Sequence, residues 1–229
     1  EDQMMETGSE TVPIEPTEGD TTVTVNALTV GGVDALAQNT GDGWYFDPAA
    51  NTLHLTGAYY DGEAEAAIYA EGDLTIVVAE GTENTFNGVD NGILTMGNLT
   101  ITGSGKLRAT ASVAYNSGGA YGAIAIAATE KLCIFGANVT ADADMVGIGS
   151  TGTMEIVDST VEALGARNGL YSSGDLRISG STVEAHATSV QADNKWDFRG
   201  YFLMGICAQE GDLLIENGAA VNASADQFG

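Results

Sequence analysis

From residue 61 onward the chain repeats itself, and a short repeat built around aliphatic triplets restricts the fold more than any other feature. Each unit opens with Gly or Ala before an aliphatic residue and turns. It then gives an aliphatic-x-aliphatic triplet, turns again and ends in a third short strand. The openings read as Ile68, Ile93, Ile124, Ile148, Leu170 and Ile206. Second strands begin at Leu74, Leu99, Leu132, Met154, Leu176 and Leu213; third strands centre on Arg108, Thr140, Glu162, Glu184 and Asn222. Spacings of 25, 31, 24, 22 and 36 residues between openings define a compact unit of 22 to 25 residues with two insertions. One unit cannot bury its aliphatic positions alone. Stacking aligns them into interior ladders and leaves the middle residue of each triplet outside. The expectation is an all-β chain: a right-handed parallel β-helix, a solenoid of about six rungs over residues 61–229.

Composition agrees. With 31 glycines, 3 prolines and 44% apolar residues in 229, the chain is rich in turns and long enough for one elongated core. Residues 1–20 hold seven acids and no apolar periodicity, and read as a disordered acidic tether. Residues 21–60 read as a small N-terminal β cap bearing a hairpin, with Trp44, Phe46, Leu53 and Leu55 on its apolar face. Trp44 serves core packing in that reading, with a sugar platform as the alternative. Most second strands follow a Gly-polar pair: Gly72-Asp73, Gly97-Asn98, Gly174-Asp175, Gly211-Asp212 and, as a variant, Gly152-Thr153. Glycine there would supply positive φ for a tight corner, and the polar side chain would bond turn backbone.

Thirty-two acidic against 7 basic residues give a formal charge of −25, which repels nucleic acid. Such a surface suits solubility, a cation, a neutral glycan, or an acidic polymer reached through a bridging cation. No apolar run reaches the roughly 18 residues of a membrane span. Cys133 and Cys207 are too few for a disulfide scaffold. Both read as outward-facing and three rungs apart, roughly 14 Å by strand spacing, so no bridge between them is expected.

The stretch AAIYAEGDLTIVVAEGTENTFNG at 66–88 resembles the opening of a bacterial secreted family of carbohydrate-binding β-helix proteins. NGILTMGNLTITGSGKL and NGLYSSGDLRISGSTVEA are similar to the same family, so the resemblance covers about 53–224. It implies secretion or cell-surface anchoring, cellulose- or pectin-type polysaccharide ligands, and bound calcium. Where that family often places Asp before the Gly-Ile opening, this chain has Asn91, Asn168 and Val146, with Arg167 adjacent. Asparagine offers calcium a carbonyl but no charge.

Four acidic residues are candidate metal ligands. Glu162 and Glu184 stack on consecutive third strands and either splay into water or share a cation such as calcium. Asp142 and Asp144 follow a third strand and read either as a solvated turn or as a metal pair. Glu155 lies below Arg177 as a cross-rung ion pair. The insertions, 110–122 and 186–204, should emerge along one edge. They carry Tyr115, Tyr121, Trp196 and Tyr201, with Tyr171 outward on the intervening rung, and this set is the candidate carbohydrate site. For Phe198 and Phe202 the competing reading is a lid folded onto the core. No convincing set of catalytic residues aligns for pectin elimination or hydrolysis; His186 is the first residue to test for activity.

The function expected is a non-catalytic extracellular polysaccharide-binding module. A structural or adhesive solenoid binding a protein partner is the alternative, and a lyase or glycosidase ranks third. The end after the sixth rung reads as an open sheet edge, to be met by further chain or a partner.

Overall fold

The structure is a computed structural model and describes residues 23–112, 123–188 and 203–226. The chain is a parallel β-helix. Among the described residues the strands form three sheets of eight, nine and seven strands, and each rung contributes one strand to each sheet. The first rung comprises Ala66–Glu71, Leu74–Val78 and Glu83–Gly88; the second, Asn91–Met96, Leu99–Thr102 and Lys106–Ala111. The third comprises Ile124–Ala128, Leu132–Phe135 and Asn138–Ala143; the fourth, Val146–Ser150, Met154–Val157 and Thr160–Gly165. The fifth comprises Asn168–Ser172, Leu176–Ser179 and Thr182–Ala187; the sixth, Met204–Ala208, Leu213–Glu216 and Ala220–Ala225.

Two of the three repeat columns stack as the sequence reading expects. Leu74, Leu99, Leu132, Met154, Leu176 and Leu213 are register partners, as are Leu107, Val139, Val161, Val183 and Val221. The first column needs one correction: Ile126, not Ile124, pairs with Ile93 and Ile148. Ile124 instead pairs with Asn91 and Val146 on the outer side of the strand. The openings are then 25, 33, 22, 22 and 36 residues apart, and the step from first to second strand is six residues in five rungs and seven in the last. Side chains from all three sheets meet in one continuous apolar cluster.

The corners explain themselves differently from the expectation. Gly72 has φ +110°, but Gly97, Gly152, Gly174 and Gly211 do not adopt positive φ. Space is what requires glycine at Gly97, Gly152 and Gly211. A Cβ on Gly97 would lie 2.8 Å from the Gly72 carbonyl carbon, one on Gly152 2.6 Å from the Glu130 oxygen, and one on Gly211 2.3 Å from the Asp175 nitrogen. The polar partners bond across rungs. Asp73 Oδ1 accepts from the Asn98 amide N–H at 2.9 Å, Asn98 Oδ1 from that of Lys131 at 3.1 Å, and Asp175 Oδ1 from that of Asp212 at 2.9 Å. Stacked corners thus satisfy the backbone donors that the turns leave unpaired.

The N-terminal segment closes the first rung. Ala27–Val30 runs antiparallel to Ala66–Glu71, and Trp44–Asp47 forms an antiparallel hairpin with Thr52–Leu55. Thr52–Leu55 and Tyr59–Asp61 already run parallel to the first rung's second and third strands, so the solenoid pattern begins inside this segment. Trp44, Phe46, Leu53 and Leu55 are buried in the core, with Tyr45 and His54 stacked outside at 4.3 Å. One helical turn, Ala35–Gln38, is N-capped by the Asp34 carboxylate. Asn84 locks the cap on: buried at a position filled by aliphatics in later rungs, it accepts from the Gly57 and Ala58 amides at 2.9 Å each. Its own amide donates to Thr82 Oγ1 at 2.9 Å and to the Lys106 carbonyl at 3.3 Å.

Candidate ligand-binding edge

The third strand of each rung leads to the first strand of the next along one edge, where Glu65, Asp90, Met145 and Arg167 precede successive first strands. Of the two insertions the described ends are strand: Thr110 and Ala111 close one third strand, His186 and Ala187 another, and Met204 opens a first strand, while residues 113–122 and 189–202 lie outside the described residues. Tyr115, Tyr121, Trp196 and Tyr201, with Phe198 and Phe202, lie outside the described residues. Of the expected carbohydrate residues, Tyr171 is placed. It stands on the outer column Tyr69, Leu94, Ala127, Gly149, Tyr171 and Cys207, and its hydroxyl bonds Gln209 Oε1 and lies 3.1 Å from Ser173 Oγ.

At the other end of that column a groove of about 500 Å³ opens on the same edge. Its walls are Thr29 from the cap, Glu65 and Ala66, Tyr69, Asp90 and Asn91, and Leu94. The walls are held by backbone: the Glu65 carbonyl accepts both the Asp90 and Asn91 amides at 2.8 Å, and Asp90 accepts that of Ile124 at 3.0 Å. Asn91 Nδ2 donates to the Ile124 carbonyl at 2.8 Å, spanning to the next rung, and Asn168 makes the equivalent bond to Met204 at 3.5 Å. Each asparagine therefore spends one of its two amide donors on rung stacking. Tyr69 donates its hydroxyl to Glu71 Oε1 at 2.8 Å, which fixes the ring and pushes the phenol pKa upward, because ionisation would set two negative oxygens together.

Nothing in the sequence reading singled out this groove, since Tyr69 lay in a strand and its acidic neighbours in ordinary corners. The legible signal was the recurrence of an acidic residue immediately before a first strand, at Glu65 and Asp90, 25 residues apart.

The expected metal ligands separate. Glu162 and Glu184 are register partners and both exposed, so the stacking of two carboxylates stands. Asp142 does not follow its third strand but lies within it, where Arg108 Nη2 reaches its Oδ2 at 3.6 Å; Asp144 follows the strand end. A guanidinium on the carboxylate competes with any cation there. Among the described residues no three His, Cys, Asp or Glu side chains cluster as a metal site.

Two further expectations change. Arg177 pairs with Glu216 at 2.6 Å and Glu155 with Lys131 at 3.4 Å, so the Glu155–Arg177 bridge gives way to partners one rung farther and on the preceding corner. Cys133 takes the outer register position between Thr100 and Glu155 yet is buried. Neither cysteine is joined in a disulfide, and burial raises the pKa of Cys207 against a smaller lowering by Arg167. His186 Nδ1 bonds Ser224 Oγ across rungs.

Among the described residues no helix is long and apolar enough to cross a membrane. No family model, curated protein or solved structure matches the chain.

Proposed function

We propose that this chain is a non-catalytic, extracellular or cell-surface polysaccharide-binding module that works through its corner edge. The observation that carries this reading is the groove: a pinned aromatic ring beside an apolar wall and several oxygen acceptors, held by cross-rung hydrogen bonds. Sugar rings stack their C–H faces on aromatic rings and offer hydroxyl donors to such oxygens. Tyr171, on the same outer column four rung steps away, extends the contact along the axis by about 19 Å at ordinary strand spacing. The resemblance to secreted carbohydrate-binding β-helix proteins supports the same reading. Calcium belongs to it as an ion shared by Glu162 and Glu184.

Retention on insoluble plant and microbial polysaccharides, with and without calcium, tests the proposal. Wild-type protein should be retained, and Tyr69→Ala should lose most of that retention while keeping its thermal midpoint. Failure of the wild type on every polymer overturns the reading. An adhesive solenoid docking on a protein is the second reading, favoured by the exposed Leu213, Leu214 and Ile215 of the last rung.

A further inference from the structure

We draw no further inference here: the strongest candidate, the exposed apolar face of the sixth rung formed by Leu213, Leu214 and Ile215, carries nothing because nothing in the structure shows what covers it.

Discussion

Leu74 and Leu213 occupy the same register column, five rungs apart in the stack, yet one is 2% exposed and the other 46%. Ile76, Ile134 and Ile178 are fully buried, whereas Ile215 in their column is 45% exposed. The residue types match, so the side chain's own chemistry cannot explain the difference. What differs is the layer beyond. The first rung is overlain by the Ala27–Val30 strand, the Trp44–Leu55 hairpin and the Asn84 clamp, and the sixth rung exposes its Leu213–Glu216 strand. In a solenoid, burial is a property of neighbouring rungs, and each aliphatic stabilises the fold only as far as a second layer covers it.

Substitution along one column tests this directly. Ile134→Ala in the middle of the stack should cost about 2–5 kcal/mol in denaturant unfolding, and Ile215→Ala under about 1 kcal/mol. Equal costs would break the comparison. Asn84→Ala strips the acceptor from two amides of the cap and should cost about 1–3 kcal/mol, with hydrogen exchange at Gly57 and Ala58 accelerating before that of the third to fifth rungs. Gly97→Ala pushes a Cβ against the preceding corner and should cost about 1–3 kcal/mol, although the φ of Gly97 suits alanine. A neutral result would return the corner glycines to a conformational role.

Titration gives the smallest effects, one at each end. Tyr69 should ionise above the ordinary 10.0, and Glu71→Gln should bring it back, as read by phenolate absorbance. A folded-state pKa above the unfolded one means the folded chain holds its proton longer. This contribution to stability is full below pH 10 and is lost as pH climbs through the raised value. At the other end, Cys207 should alkylate more slowly than a free thiol at neutral pH, since burial disfavours its thiolate.

The columns were legible because an aliphatic triplet at a fixed offset leaves stacking as its plausible burial. The slip at Ile124 has a local cause. In the run AIAIA both isoleucines follow an alanine and share parity, and the insertion before them removes the spacing cue from the previous rung. The six-residue step to Leu132 would have chosen Ile126. The conformational reason expected for the corner glycines holds at Gly72 and not at Gly97, Gly152, Gly174 or Gly211, because how closely two backbones pass is set by stacking and has no signature in either segment alone. The groove escaped notice for a related reason. Glu65, Tyr69 and Asp90 are unremarkable in sequence, and they acquire chemistry only when two corners and the cap's Thr29 meet.

The near-constant step from first to second strand contrasts with the opposite corner, where the distance from third-strand to first-strand interior residues is nine residues between Val139 and Ile148 but 23 between Val183 and Ile206. For protein engineering the consequence is a scaffold with one tolerant seam. A peptide grafted before a first strand goes where the sequence already varies most in length from rung to rung, whereas the same graft beside Gly97 or Gly152 would have to pry apart backbones already touching. Display of several guest loops, one per rung, would place them in a row at the strand-to-strand spacing of the sheet.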